Sequence, residues 1–362
     1  MAAVLRPVAA ACARSPREGT SAISGLGYYL PTDVITNADL STLVDTSDEW
    51  ITERTGIHSR RRADKLHATS DLGFSAATAA LEDAHLTADD LDMILVATAT
   101  PDSPVPATAC IIQKMLGALG AAAMDINAGC SGFLYGLHTA DAFVRAGAAR
   151  NVLVIGAEIL TRVTDYSDRR TCILFGDGAG ACVVSRAGAY ELLYTSAGAD
   201  GTQLDLISIP AGGSRNPASS ATVAERQHYL KLDGGRVFRQ AVRRMVEAGE
   251  AALKATGLTS DDIAWAIPHQ ANARIISAVG EQLGIAVPKV VMDVAEVGNT
   301  SAASVPIALT RARNAGSFAP GQRVLLLAFG AGLTWACQIV RVGEAPSRGR
   351  PAEAPADFPA RG

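Results

Sequence analysis

The chain has 362 residues, a length that suits two domains of roughly 150 residues each or one large fold built from two halves. Lysine plus arginine number 32 and aspartate plus glutamate 36, and the net charge of −4 excludes a nucleic-acid binder driven by phosphate neutralisation. Hydrophobic residues at 48% and charged residues at 19% supply a core and exclude wholesale disorder, and no apolar run reaches the ~18 residues of a membrane span.

Residues 1–20 are alanine-rich with Arg6, Arg14 and Arg17 and almost no acid. They read as a disordered N-terminal extension, weakly like an organellar transit segment. The first half, 21–188, predicts a helix over Asp71–His85, a strand over Leu91–Thr98 and a helix over Ala107–Leu116. A strand over Ala121–Ile126, a helix opening near Cys130 and a strand over Val152–Ala157 follow. The second half, 189–342, predicts helix Arg236–Thr256, strand Ile263–Pro268, helix Ala271–Leu283 and strand Lys289–Val294. It closes with a helix from about Ser301 and strand Arg323–Ala328. Residues 343–362, rich in proline, alanine and charge, read as a disordered tail.

The two halves repeat one another. LTADDLDMILVATAT from Leu86 echoes LTSDDIAWAIPHQAN from Leu258, MDINAGC from Met124 echoes MDVAEVG from Met292, and VLVIGAE from Val152 echoes VLLLAFG from Val324. FGDGAGACVVSR from Phe175 likewise echoes FGAGLTWACQIVR from Phe329. The first three pairs share one spacing of about 170 residues, too long for a solenoid, so a whole unit has been duplicated. Strands alternating with helices, and strands as apolar as VLVIG and VLLLAF, imply sheets covered on both faces. The expected fold is an α/β body of five layers, α-β-α-β-α, with no linker between the halves.

The cysteines Cys12, Cys110, Cys130, Cys172, Cys182 and Cys337 form no CxxC pair. Free thiols in a reducing, cytoplasmic setting and no metal site are the expectation. Cys130 alone sits on a strand-to-helix corner, where a helix N-terminus favours a thiolate and raises nucleophilicity. Its neighbours Gly129 and Gly132 would let a substrate carbonyl come close to the backbone. The other cysteines read as small apolar residues, Cys110 in a helix and Cys172, Cys182 and Cys337 in strand-like runs. His269 is the one histidine at the end of a predicted core strand. Asn299 occupies, through the repeat, nearly the slot that Cys130 has in the first half. Cys130, His269 and Asn299 therefore form a coherent constellation for nucleophilic catalysis. GDGAG, Gly176 to Gly180, is followed by strand-like ACVVS and not by a helix, so it fails as a dinucleotide loop and reads as a sharp turn.

NAGCSGF, PHQAN, GNTSAASVPIAL, FGDGAGA and FGAGLTW, with TSDEWITERTGI near the start, resemble the β-ketoacyl-(acyl carrier protein) synthase III family within the thiolase-fold condensing enzymes. The resemblance runs from about Ser21 to Val342. It implies that Cys130 takes an acyl group from an acyl-CoA, and that His269 and Asn299 bind the thioester carbonyl of a malonyl-(acyl carrier protein). Elongating relatives carry a second histidine where Asn299 stands, so the initiating class is implied. It further implies an oxyanion hole from the backbone N–H groups of Cys130 and Ala331. Trp50, Arg54, Arg169 and Asn272 match coenzyme A positions, and coenzyme A is a substrate, with no further cofactor. An acidic carrier protein calls for a basic dock: Arg274 matches a docking position of the family, and Arg239 and Arg243 share one helix face by their spacing. Arg236 and Arg244 lie alongside, though such spacing is also that of a solvated helix face. Glu281 and Gln282 depart from a basic pair seen in relatives. A homodimer is implied, with the Pro104–Leu116 region at its interface and Val105 reaching into the partner's acyl pocket. The alternative activity is acyl transfer to another acceptor without decarboxylation.

Overall fold

The computed structural model describes residues 19–344, so the expectations for both chain ends lie almost wholly outside the described residues. Strand β1 (Ala22–Tyr29) is followed by β2 (Asp33–Thr36), helices α1 (Asn37–Ser41) and α2 (Asp48–Thr55), and β3 (Ser59–Arg62), which pairs antiparallel with β2. Then come α3 (Thr69–Ala84), β4 (Met93–Ala97), α4 (Thr108–Leu116), β5 (Ala122–Ile126), α5 (Gly132–Arg145), β6 (Val152–Ile159) and β7 (Asp177–Ser185). The second half runs β8 (Tyr190–Ala199), β9 (Ile207–Ser208), α6 (Ser220–Ala224), β10 (Lys231–Leu232), α7 (Gly234–Thr256) and β11 (Ile263–Pro268). It ends with α8 (Ala273–Gln282), α9 (Val294–Val297), α10 (Ser304–Asn314), β12 (Arg323–Gly330) and β13 (Thr334–Val342).

Strands β5-β4-β6-β7-β1 form one half of a continuous nine-stranded sheet and β11-β12-β13-β8 the other; the halves join where Ala22 and Ile23 of β1 pair with Glu191 and Tyr190 of β8. In each half the first strand lies beside the last, and that last strand runs antiparallel to the one before it. The remaining central pairs, β6 with β4 and β12 with β11, are parallel. The repeated LT-x-DD segments also fold alike. Thr87 and Thr259 each cap a short 3-10 turn, with Asp90 and Asp262 accepting back from the threonine N–H at 2.8 and 2.9 Å.

Helices α3 and α4 cover the outer face of the first half-sheet, α7 and α8 the outer face of the second, and α5 and α10 lie between the half-sheets. These are the five expected layers. Every residue of β6 is buried, as are seven of the eight in β12, which explains their unbroken apolar sequence. The middle layer is filled by Leu95, Leu134, Leu137, Val154, Leu326 and Val340.

Three expectations are corrected. The strand over Lys289–Val294 is reduced to a single parallel bridge, Ala266 with Val290. Pro288 has no N–H and lies in a 3-10 turn, and the Asp293 N–H is taken by Gln270 Oε1 at 2.7 Å, so no ladder can extend. In GDGAG, Asp177–Gly180 open β7 directly after Gly176, and the segment is not a turn. Its glycines serve close packing: a Cβ at Gly180 would lie 2.7 Å from Pro306 on α10, and one at Gly176 would lie 2.5 Å from the Val297 carbonyl. Cys172 is buried in a turn and not in a strand.

Candidate active site

Cys130 lies in a 3-10 turn, Gly129–Ser131, between β5 and α5. The turn packs on the end of β12 and on the 3-10 turn Ser301–Ala303 that precedes α10. The contact with β12 is so close that a Cβ on Gly330 would stand 2.5 Å from the Cys130 nitrogen. A Cβ on Gly129, whose φ is +52°, would stand 2.8 Å from the Ala331 nitrogen. The segments that carry the amides of Cys130 and Ala331 are thus packed directly against each other. Thr334 Oγ1 ties the two segments together, its one proton lying within reach of the carbonyls of Ala128 at 2.7 Å and Ala331 at 3.0 Å. Gly129 and Gly132 do not stand open for a ligand as expected; they admit the protein's own chains, Gly132 meeting Ala97.

The expected thiolate is also corrected. Burial pushes the Cys130 thiol up to about 11, the nearby Glu158 carboxyl adds to the rise, and a hydrogen bond with Ser301 opposes it. At neutral pH the resting side chain is a thiol. Glu158 is fully buried on β6, where it accepts from Thr100 Oγ1 at 2.6 Å and from the Ala99 N–H at 3.1 Å. Burial holds its carboxyl above the usual range.

His269 follows β11 directly, and its N–H donates to the Leu327 carbonyl of β12 at 2.7 Å. The ring is buried, and its Nδ1 lies 2.6 Å from Ser304 Oγ at the start of α10. Burial pushes the imidazole down to about 3, so it is neutral at physiological pH. Asn299 is buried just after α9, where its backbone bridges Phe175 and Gly176. Its Oδ1 accepts the Ser301 N–H at 2.8 Å, which leaves the amide NH2 as the free end of the side chain. One segment, Asn299–Ser304, therefore reaches Cys130 through Ser301 and His269 through Ser304, and brings all three expected residues together. Ser301, Ser304 and Glu158 were not singled out from sequence. The run of hydroxyls in GNTSAAS was the available signal for the two serines.

The expected coenzyme A residues also cluster. The guanidinium of Arg54 lies 4.4 Å and that of Arg169 lies 5.2 Å from the centre of the Trp50 ring. Asn272 caps α8, its Oδ1 accepting the Arg274 N–H at 2.8 Å while its Nδ2 donates to the Arg54 carbonyl at 3.0 Å. Arg239, Arg243 and Arg274 are exposed on α7 and α8, and Arg274 lies over Phe238 at 5.8 Å. A groove between these helices is lined by Phe238, Val242 and Val246 together with Arg239, Arg243, Gln282 and the acidic Glu247, which pairs with Arg243 at 3.7 Å. Arg236 is exposed on the same helix. Arg244 is not part of this face: it is buried over Trp335 and paired with Asp200 at 3.0 Å. Val105 is 84% exposed in the single chain.

Residues 124–201 match the family model for 3-oxoacyl-(acyl-carrier-protein) synthase III, and residues 253–342 match its C-terminal model. The β-ketoacyl-(acyl-carrier-protein) synthase III of Caldanaerobacter subterraneus subsp. tengcongensis is 53% identical over 320 residues, covering 88% of this chain and 97% of that one. Among solved structures, the 3-oxoacyl-(acyl-carrier-protein) synthase III of Aquifex aeolicus superposes with a TM-score of 0.82 at 44% identity, over 89% of this chain and 99% of that one. The priming β-ketosynthase of the R1128 polyketide pathway gives a TM-score of 0.84 at 36% identity, over 92% and 99% of the two chains. With this fold and these matches, the chain belongs to the β-ketoacyl-(acyl carrier protein) synthase III family, the acyltransferases of thiolase fold that perform the initiating condensation of fatty-acid or polyketide synthesis.

Proposed function

We propose that the enzyme condenses an acyl-CoA primer with malonyl-(acyl carrier protein) through an acyl-Cys130 intermediate. The observation that carries this reading is the convergence of Cys130, the neutral His269 and the amide of Asn299 on the Asn299–Ser304 segment. In the first step Cys130 Sγ attacks the primer carbonyl, the C–S bond to coenzyme A breaks, and the proton given up by Cys130 ends on the departing coenzyme A thiol. The Cys130 and Ala331 amides receive the oxyanion of the tetrahedral intermediate. In the second step the malonyl thioester carbonyl accepts hydrogen bonds from His269 and Asn299. Its carboxylate leaves as CO2, and the resulting enolate attacks the acyl carbonyl and expels Cys130 as a thiolate, which takes one proton from solvent to return to the thiol. Two neutral donors suit this step, because an enolate needs hydrogen bonds but is quenched by a strong acid.

Trp50 with Arg54 and Arg169 holds the adenine of coenzyme A, which enters as a substrate, and Asn272 steadies that wall through the Arg54 carbonyl. Arg239, Arg243 and Arg274 receive the acidic carrier protein. The active form is a homodimer. Strand β5 ends the sheet with its outer side unpaired among the described residues, and Val105, Leu119 and Met124 nearby are exposed, as expected of a strand that meets its twin. Val105 then reaches the partner's acyl pocket. The test is to supply acyl-CoA alone and then with malonyl-(acyl carrier protein). The expected outcome is one acyl adduct, mapped to Cys130 by mass spectrometry and absent from Cys130→Ala, followed by release of CO2 and a lengthened product. An adduct on Cys110 or Cys172, or transfer to an acceptor without CO2, refutes the reading.

A further inference from the structure

We infer that Ser304 is a positioning residue that holds His269 in the tautomer with its proton on Nε2, which makes the ring a hydrogen-bond donor to the substrate. The inference rests on the donor role proposed above for His269 and supplies its cause.

The assignment follows from counting protons around one buried hydroxyl. Ser304 is 2% exposed, and its oxygen has two partners: His269 Nδ1 at 2.6 Å and the Gln270 N–H at 3.3 Å. Among the described residues, Ser304 is also the only hydrogen-bond partner of the His269 ring. The Gln270 N–H can only donate. If Nδ1 carried the ring proton, it too would donate to Oγ, and the hydroxyl proton of Ser304 would be buried with no acceptor. Leaving a buried polar hydrogen unpaired is unfavourable. If Nδ1 is bare, the chain closes: the Gln270 N–H donates to Oγ, and the Ser304 O–H donates to Nδ1. The ring proton is then on Nε2. Burial keeps the imidazole uncharged, so there is one ring proton to place and no second one to blur the choice.

The backbone holds this relay in place. Gln270 directly follows His269, and its side chain is anchored by donating to the Pro268 carbonyl at 2.7 Å and accepting the Asp293 N–H at 2.7 Å. Ser304 is the first residue of α10, so the hydroxyl is carried by a rigid helix of the central layer.

The experiment uses the full-length protein with 15N-labelled histidine. Long-range 1H–15N correlation distinguishes the two neutral tautomers, and a His269→Asn sample assigns the signal. The wild type is expected to show the Nε2–H form, unchanged from pH 5.5 to 8.5. Ser304→Ala is expected to lose that preference. It should form the acyl-Cys130 adduct at the wild-type rate while its malonyl decarboxylation falls by at least tenfold. Ser304→Thr, which keeps the hydroxyl, should restore both tautomer and rate to within a few-fold. An Nδ1–H ring in the wild type overturns the inference, and needs no variant to fold. So does an Nε2–H ring that persists in Ser304→Ala. If His269→Asn decarboxylates as fast as wild type while the tautomer data stand, the donor role has failed and the Ser304 assignment has not.

Discussion

Replacing Asn299 separates the second chemical step from the first. Its Oδ1 is held by the Ser301 N–H at 2.8 Å, so the side chain has one free function, the NH2 that we propose faces the malonyl carbonyl. Asn299→Ala removes one of two donors to the developing enolate, and losing one such donor costs about 2.7–4 kcal/mol, a slowing of roughly 100- to 1,000-fold. The same change strips the buried Ser301 N–H of its acceptor, which lowers stability by about 1–3 kcal/mol. Asn299→Asp keeps that acceptor and the side-chain shape but puts a carboxylate where the donor stood. Burying that carboxylate with no cation beside it also costs stability, so the discriminating readout is its decarboxylation, which should fall at least as far as in Asn299→Ala. The assay is release of CO2 from carboxyl-labelled malonyl-(acyl carrier protein), with acylation of Cys130 by acyl-CoA followed separately by intact mass. Both variants should acylate at near wild-type rate. Condensation by Asn299→Asp at the wild-type rate would refute the donor role and leave Asn299 as a turn residue.

Because burial pushes the Cys130 thiol up to about 11, its alkylation by iodoacetamide should rise close to tenfold per pH unit from pH 7 to 10, as the thiolate fraction grows. A rate already level at pH 7 would mean a resting thiolate. Gly156→Ala should destabilise the fold by about 1–3 kcal/mol or more in denaturant unfolding, since a Cβ there would lie 2.4 Å from the Ala302 carbonyl. If Val105 lines the partner's acyl pocket, each extra buried methylene of a primer can add ~0.8 kcal/mol, so wild-type kcat/KM for isobutyryl- or hexanoyl-CoA should equal or exceed that for acetyl-CoA. Val105→Phe should then shift preference to acetyl-CoA, and an unchanged ranking would remove Val105 from the pocket.

Much of the fold was legible because its signals are local or repeated. The apolar strands and the LT-x-DD turns are periodic in sequence, and duplication makes each half a check on the other. Strand Lys289–Val294 misled because its repeat partner, Ala122–Ile126, is a true strand, whereas Pro288 and the Gln270 side chain interrupt this one. GDGAG misled because glycine signals both a turn and a close approach, and only the position of α10 decides between them. The placement of Cys130 and His269 could be read from strand ends. The state of the thiol could not, since it depends on burial and on Glu158, which is 28 positions away in the chain. Ser304 escaped notice for the same reason: a serine at a helix start reads as a cap until the histidine beside it is located.

The duplication also accounts for why one site can run two different steps. The 3-10 turns Gly129–Ser131 and Ser301–Ala303 precede α5 and α10, the two helices of the central layer, and they pack against each other. The N-termini of both central helices are thereby directed at one place. Each helix end carries partial positive charge without a titratable proton, so together they favour anions while adding no acid. That field suits both species in the proposed reaction, the tetrahedral oxyanion and the thioester enolate. A lysine or an imidazolium would give more charge, but either could protonate the enolate carbon before it met the acyl-enzyme. Burial keeps His269 neutral and leaves no formal cation on the constellation itself, Cys130, His269 and Asn299. The duplicated turns have diverged in what they present: the first offers a nucleophile beside its own amide, and the second offers hydroxyls and amides that aim Asn299 and His269.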